Sequence, residues 1–158
     1  MKTDIQKPYV ISINKEGEWF YNDRKIIHPT VLRIFNDGLS RAGDGRYYLE
    51  VDGDVAEVVV EDAPFVVKRV MPAIDEGKLC GFVISLSDDT EDILNLDTLK
   101  INDKNVPYCL VKGGLLAKFS SKAYYMLSEY IEHDEHQDSY YIKIKSKKNQ
   151  IHYDGDRT

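Results

Sequence analysis

The stretch VEDAPFVVKRV, residues 60–70, constrains the fold of this chain more than any other segment. A run of three valines is followed by two adjacent carboxylates, Glu61 and Asp62, and by a turn that contains Pro64. A second β-rich run then extends from Phe65 to Val70. A strand, an acidic turn and a strand form a hairpin-like unit whose polar groups gather at one end. The segment therefore predicts β-structure with a candidate site at the acidic turn.

Length and charge limit the classes of function. A chain of 158 residues suits one ordinary domain or two very small ones, and it buries enough surface to fold without metals or disulfides. The net charge of −6 argues against binding to duplex nucleic acid, because such proteins gain most of their affinity from a basic face. A single nucleotide in a local basic pocket stays compatible with this charge. The basic run is interpreted as a solvated strand face or a protected edge; it comprises Lys143, Lys145, Lys147 and Lys148.

The cysteines and the N-terminus predict a soluble, cytoplasmic protein without membrane insertion. Cys80 and Cys109 lie in apolar, strand-like settings, which favour two buried thiols over a disulfide. The start of the chain, MKTDIQKPYVISI, has no apolar core of signal-peptide length. No apolar run approaches the ~20 residues of a membrane helix. No feature of the sequence predicts a cofactor.

Residue patterns in the first half predict strands and one helix. The expected strands are 9–13, 18–21, 47–51, 55–60 and 65–70. A helix is predicted from Pro29, since proline is tolerated at the first helical position. Leu32, Phe35 and Leu39 would lie on one face of this helix. Residues 71–78 contain a proline, a glycine and several charges, and are interpreted as a linker or long loop.

The second half repeats the same kinds of pattern. The expected strands are 79–86, 98–101, 107–112, 115–119, 140–145 and 150–153. Gly113-Gly114 predicts a hairpin turn, and Ser120 or Ser121 predicts the N-cap of a second helix. The residues from Asp154 onward are expected to form a frayed tail.

The two halves resemble each other in spacing, which indicates an ancient duplication. The positions of Leu32, Phe35 and Leu39 are matched 92 positions later by those of Tyr124, Leu127 and Ile131. A Tyr-Tyr pair follows each helix, at 47–48 and at 140–141. We therefore predict an α+β fold of two repeated β-β-α-β subdomains with mostly antiparallel sheets, residues 1–73 and 74–158. Interfaces between such copies are common places for ligand sites.

Several short motifs occur in order through most of the chain. They are GEWFYND from Gly17, Ile27-His28-Pro29 with Leu32 and Phe35, Asp44-Gly45 with Tyr47, VEDAPFVV from Val60, PYCLVKGGLLAKF from Pro107, and Ala123-Tyr124-Tyr125 with Leu127. In this order they resemble a bacterial family, the domain of unknown function 1285. The resemblance implies a two-part α+β fold with a repeated motif, whose second part is superficially like a pleckstrin-homology domain. It also implies a nucleotide-like ligand site between the parts and a signalling role.

The chain departs from the family pattern at positions that would carry charge. It has His28 and Ser121 where the family tends to have arginine, and Leu116 where the family tends to have glutamate. These differences would alter the charge of any pocket built from those positions.

The acidic pair Glu61 and Asp62 has two interpretations. Adjacent side chains on a strand point to opposite faces, so the two carboxylates would serve one acid–base site only with a bulge or turn. The structural alternative is a turn in which Asp62 accepts hydrogen bonds from backbone N–H groups. In the functional alternative, Asp62 binds a ligand or pairs with Lys112.

Lys112 and Lys118, with Lys68 and Arg69, are the cations best placed by sequence for an anionic ligand. Lys112 precedes Gly113-Gly114, where backbone N–H groups would allow close approach of a phosphate. An ordinary hairpin turn with a solvated lysine explains the same residues.

Two further motifs are weighed as sites. The aromatic run from Trp19 to Tyr21 would give one ring to a base and another to the core, although core packing alone also explains it. His133 and His136 have a spacing that permits chelation, but the stretch lacks an HExxH pattern and is interpreted as a solvated loop after the second helix, without a metal.

The leading hypothesis is an anionic, nucleotide-like ligand held between the two subdomains, with a signalling role. Its candidate binding residues are Trp19, His28, Asp62, Tyr108, Lys112 and Lys118. The second hypothesis is a protein-interaction module that binds a peptide at a sheet edge. The third is an enzyme that acts on a nucleotide or phosphate, for which no catalytic residues are predicted.

Overall fold

The structure, a computed structural model, describes residues 9–153. The predictions for the first eight residues and for a frayed tail from Asp154 lie outside this range. Contacts divide the chain into two units, Met1–Pro64 and Phe65–Thr158. Each unit combines strands with one α-helix, so the predicted α+β class is confirmed.

The first unit is a six-stranded sheet with one helix. Its elements are β1 (Ile11–Ile13), β2 (Trp19–Tyr21), β3 (Arg24–Lys25), α1 (Pro29–Gly38), β4 (Leu39–Arg41), β5 (Tyr47–Val51) and β6 (Asp54–Val60). The strand order is β3-β2-β1-β6-β5-β4, antiparallel except for the parallel pair β1–β6. Ile13, Leu49 and Val58 alternate with exposed positions and build the buried face of this sheet.

Helix α1 begins and ends where local chemistry dictates. His28 is its N-cap and accepts a hydrogen bond from the Thr30 N–H at Nδ1, 3.2 Å away, and Pro29 opens the first turn. At the other end, a Cβ on Gly38 would overlap the Glu50 carbonyl oxygen, so this close approach requires glycine. Leu39 lies outside the helix and starts β4, which corrects its predicted helical position.

The second unit contains two sheets. Its strands are β7 (Phe65–Asp75), β8 (Lys78–Leu86), β9 (Glu91–Ile93), β10 (Lys100–Ile101), β11 (Pro107–Val111), β12 (Leu115–Phe119), β13 (Ile131–Asp134), β14 (Ser139–Ile144), β15 (Lys147–Gln150) and β16 (His152–Tyr153). A 3-10 turn covers Leu96–Thr98, and helix α2 covers Ser121–Ser128. The larger sheet has the order β16-β10-β11-β12-β7-β8-β9, and the smaller sheet is β13-β14-β15.

The prediction of a linker at residues 71–78 is wrong. This segment is a hairpin between β7 and β8, with Glu76 and Gly77 in the turn at φ 51° and 76°. Strand β12 pairs with β7 only over Phe65–Val67, so the later part of β7 has β8 as its one neighbour. Pro72 is tolerated there because its missing N–H faces an unpaired side. The division of domains at residues 73 and 74 stays a prediction.

The second helix is shorter than its apolar spacing predicts. Ser120 caps α2, its hydroxyl accepting a hydrogen bond from the Ala123 N–H at 3.0 Å, as predicted. The helix ends at Ser128, so Ile131 begins β13 and is not on the helical face with Leu127. Neither described helix has the length or the apolar stretch needed to cross a bilayer.

A strand–strand–helix–strand order occurs in both units, but the sheets differ. In the first unit every strand belongs to one sheet, whereas α2 leads into the separate sheet β13-β14-β15. The duplication and the likeness to a pleckstrin-homology domain therefore stay predictions.

The two cysteines have different environments. Cys109 on β11 is 1% exposed, and its burial raises the pKa of the thiol to about 12. Cys80 on β8 is half-buried, and both thiols are free. The prediction of buried thiols without a disulfide is thus confirmed for Cys109, while Cys80 is partly open.

Candidate functional site

The second unit contains a cavity of about 770 Å³. Its walls come from β8, the segment from β9 through the 3-10 turn, the turn between β11 and β12, and the hairpin β14–β15. This volume lies within the range of small-molecule sites in proteins. The cavity is therefore the candidate site within the part of the chain that the structure describes.

Apolar side chains form much of the cavity surface. Leu94 and Val111 are buried in its floor, and Leu96 and Ile144 are half-buried. Ile93, at the outer strand β9, lines the cavity with 72% of its surface exposed. A ligand that covered Ile93, Leu96 and Ile144 would gain free energy from the removal of their apolar surface from water.

Lys112 lies on one wall of the cavity, and its ammonium already has partners within the protein. Its Nζ lies 2.6 Å from Oδ2 of Asp88, whose side chain is 5% exposed. The other oxygen of Asp88 accepts hydrogen bonds from the N–H and the hydroxyl of Thr90. The Lys112 ammonium also lies 5.1 Å from the centre of the Phe65 ring. A carboxylate and an aromatic face thus already compensate this charge.

The backbone of the β11–β12 turn is anchored beside the cavity. The Lys112 N–H donates to Oδ2 of Asp92 at 2.8 Å, and Oδ1 of Asp92 accepts from the Ile93 N–H at 2.7 Å. Lys112 and Gly113 have φ of 53° and 81°, and the Gly114 N–H donates to the Val111 carbonyl. The predicted Gly-Gly hairpin is confirmed, and its backbone forms part of the cavity wall.

Lys147 lies on another wall of the cavity, and it differs from Lys112 in the partners of its ammonium. It is exposed at the start of β15, opposite Ile144 on β14. Within residues 9–153 no ion pair or hydrogen bond of its ammonium is found. The neighbouring Lys148 differs, since its Nζ lies 3.6 Å from Asp134 and 4.7 Å from the centre of the Tyr141 ring. Lys147 is therefore the cavity-lining cation that is available to a ligand.

Three of the residues predicted to bind ligand lie in the first unit. Trp19 is 1% exposed, and its indole N–H donates to Oδ1 of Asn36 at 3.0 Å. Its ring meets Phe35 edge-on at 5.3 Å, so it packs in the core of that unit. His28 caps α1, and Asp62 lies in the bend after β6. Their roles in binding stay predictions.

The other three predicted residues lie around β11 and β12. Tyr108 and Lys118 are directly opposite each other on these strands, and both are half-buried. Only Lys112 of this group lines the cavity. The structure thus places Lys112 at the cavity, and Tyr108 and Lys118 lie on the adjoining strands.

The histidine-rich stretch forms a hairpin and not a loop after the helix. His133 lies on β13, with Nε2 2.9 Å from Oδ1 of Asp138, and Oδ1 of Asp134 accepts from the N–H of His136. No group of three or more His, Cys, Asp or Glu side chains capable of holding a metal occurs in the described residues. A smaller cavity of about 430 Å³ lies nearby, where the rings of Tyr140 and Tyr153 contact each other at 5.5 Å.

Sequence reasoning missed the residues that distinguish this cavity. Lys147 was part of a basic run that we interpreted as a solvated face, and the hairpin that presents it was not foreseen. The turn of this hairpin consists of Lys145 and Ser146, at φ of 49° and 74°. It contains neither the glycine nor the asparagine that is typical of such turns. No local pattern in the sequence links Asp88 to Lys112, 24 positions later.

Two solved structures share this fold. A crystal structure of a DUF1285 family protein from Shewanella baltica OS155 matches with a TM-score of 0.65 and 23% identity, covering 77% of this chain and 91% of that chain. A DUF1285 family protein from Silicibacter pomeroyi DSS-3 matches with a TM-score of 0.71 and 23% identity, covering 87% of this chain and 76% of that chain. No protein-family model and no curated protein matches the sequence.

The chain therefore has the fold of proteins with the domain of unknown function 1285. This confirms, at the level of the fold, the resemblance predicted from its ordered motifs. Sequence identity of 23% establishes the fold alone and transfers no activity.

Proposed function

We propose that this protein binds a small anionic molecule in the cavity of its second unit. The observation that carries the proposal is that Lys147 lines a cavity of about 770 Å³ and that its ammonium has no ion-pair partner within residues 9–153. An unpaired cation beside an apolar surface attracts a ligand of opposite charge, and the surface adds binding free energy.

The turn that contains Lys112 and Gly113 supports the proposal through its accessible backbone more than through the Lys112 ammonium. The Lys112 ammonium would have to leave Asp88 in order to bind an anion, so it contributes less than Lys147. Gly113 and Gly114 carry no side chains that would block approach to the backbone, since Cβ atoms built on them meet nothing within 4 Å. A ligand anion would therefore lie between Lys147 and the glycine turn.

A nucleotide-like ligand and a signalling role extend this proposal, and they rest on the family resemblance. In that role, ligand binding would change the affinity of the protein for a partner. The remaining candidate residues belong to this wider hypothesis: Trp19, His28, Asp62, Tyr108 and Lys118.

Peptide binding at the β9 edge is the second candidate function. Strand β9 is the last strand of its sheet and pairs with β8 on one side. Ile93 is largely exposed at this edge, and an added strand would cover it. Saturable binding of an extended peptide that Ile93→Asp abolishes, without any small-molecule binding, would favour this candidate.

The proposal is tested by a thermal-shift panel of nucleotides, cyclic nucleotides, inorganic phosphate and carboxylates. A ligand at 100 times its dissociation constant stabilises the folded state by about 2.7 kcal/mol, which raises the melting temperature by several degrees. Lys147→Ala is expected to reduce the shift. Lys143→Ala is the matched control, because Lys143 is an exposed lysine of the same sheet that does not line the cavity.

Lys112→Ala is unsuitable as the main test, because loss of the Asp88 pair lowers stability without any ligand. The proposal fails if no anion in the panel stabilises the protein, or if Lys147→Ala and Lys143→Ala reduce the shift equally.

A further inference from the structure

The charges around the cavity restrict the kind of anion that fits. Its lining includes two acidic residues, Asp92 and Asp97, and two lysines, Lys112 and Lys147. Asp88 offsets Lys112 at 2.6 Å. The lining thus has no net positive charge, and Lys147 faces a ligand together with two carboxylates. A polyphosphate would bring several negative charges toward these carboxylates, which is unfavourable at short range.

The apolar part of the cavity restricts the rest of the ligand. Leu94 and Val111 form its buried floor, while Ile93 and Leu110 leave apolar surface exposed at its rim. These groups extend over several elements, from β9 to β11, and a compact hydrophilic ion would leave them uncovered. An aliphatic or aromatic body would cover them and gain affinity with each group that it buries.

From these two observations we infer that the ligand is an amphipathic monoanion, with one carboxylate or similar group beside Lys147 and an apolar body on Ile93, Leu96 and Leu110. The inference rests on the proposed function and names the ligand class of the same site. A singly charged, largely apolar molecule therefore competes with the nucleotide-like ligand that the family resemblance implies, and the titrations below distinguish the two.

Calorimetric titration with hexanoate, octanoate and decanoate tests the apolar half of the inference. Each methylene group buried in an apolar site contributes about 0.8 kcal/mol, so affinity is expected to rise about fourfold per methylene. The matched polar ligands are inorganic phosphate and a nucleoside triphosphate, which are expected to bind more weakly than decanoate.

Charge variants test the anionic half. Lys147→Met keeps an unbranched apolar side chain and removes the charge, and it is expected to weaken decanoate binding about two- to fivefold, the range of an exposed ion pair. Lys143→Met is the control and is expected to leave the dissociation constant unchanged. The neutral analogue decanol is expected to bind Lys147→Met and wild-type protein equally.

The outcomes separate this inference from the proposed function. A nucleotide or phosphate that binds through Lys147, with no gain along the carboxylate series, would overturn the inference and leave the proposed function intact. If none of these anions bound, both would fail. Affinity that rose with chain length but was unaffected by Lys147→Met would show that the carboxylate does not lie beside Lys147, and would overturn the inference.

Discussion

Lys112 and Lys147 line the same cavity but have opposite roles in the structure. The Lys112 ammonium lies 2.6 Å from a nearly buried carboxylate and over the Phe65 ring, so its charge stabilises the fold. The Lys147 ammonium has no such partner within residues 9–153 and remains available. Lys112, which the sequence predicts to bind a ligand, is thus paired within the fold, and its role in binding stays a prediction. Lys147, which the sequence indicates to be solvated, is the candidate ligand contact.

The two cysteines show the same difference. Cys109 lies on β11 in the core, where burial raises the pKa of its thiol to about 12. Cys80 is half-buried and lines the cavity. In each pair, one member is held by the fold, through an ion pair for Lys112 and through burial for Cys109, and the other is accessible at the candidate site. The two roles can therefore be measured with matched variants.

Asp88→Ala is expected to have the largest effect on stability. The variant removes a nearly buried carboxylate that accepts hydrogen bonds from Thr90 and pairs with Lys112. Loss of these charge-assisted interactions is expected to lower the free energy of unfolding by about 2 kcal/mol, measured by urea denaturation. Glu91→Ala, which removes an exposed carboxylate close by, is the control. An equal effect of both variants would contradict a structural role for Asp88.

Lys112→Met is expected to have the next largest effect, about 1 kcal/mol. Methionine keeps much of the apolar stem near Phe65 and removes the pair with Asp88. A double-mutant cycle with Asp88→Ala should give a coupling free energy of about 0.5 kcal/mol or more between the two residues. Additive effects would show that the pair contributes no stability.

Alkaline pH should distinguish Cys109 from Cys80. A thiol whose folded-state pKa is raised to about 12 stays protonated in the folded protein while it ionises in the unfolded protein. Its stabilising contribution is therefore present below the unfolded-state pKa and decreases as the pH rises toward 12. With an unfolded-state pKa of 9.0 for the thiol, the loss between pH 8 and 9.5 should be about 0.8 kcal/mol. Cys109→Ala should lack this part of the pH dependence and Cys80→Ala should retain it; the reverse result would place the buried thiol at Cys80.

Lys147→Met is expected to have the smallest effect on stability. Its exposed ammonium has no described partner, so the free energy of unfolding should change by less than about 0.5 kcal/mol, as for Lys143→Met. Urea denaturation of the two variants side by side makes this comparison. A clearly larger loss for Lys147→Met would mean that the fold uses this lysine and that it is not reserved for a ligand.

Local patterns predicted much of the fold because the signals were local. His28-Pro29 and Ser120 predicted the starts of both helices, and Gly113-Gly114 predicted a hairpin turn. The hairpin at Glu76-Gly77 was mistaken for a linker, because the proline before it is acceptable only where β7 lacks a second neighbour.

The site was less predictable because its contacts join distant segments. Lys112 was selected for its neighbouring glycines, but its role depends on Asp88 and Phe65, which tertiary pairing brings to it. Lys147 reaches the cavity through a turn at Lys145-Ser146 that lacks the usual turn residues. Trp19 was selected as a ring for a ligand, and its burial against Phe35 could not be read from a three-residue aromatic run.

The most direct test of the cavity as a ligand site is the rate at which a thiol reagent modifies Cys80 in wild-type protein, with and without decanoate. Cys109 serves as an internal control, since its buried, protonated thiol should stay unmodified in the folded state. If decanoate occupies the cavity, then at ten times its dissociation constant it should slow the modification of Cys80 about tenfold, because mainly free protein reacts. An unchanged rate at a concentration where titration shows saturation would place the bound ligand elsewhere and contradict the account.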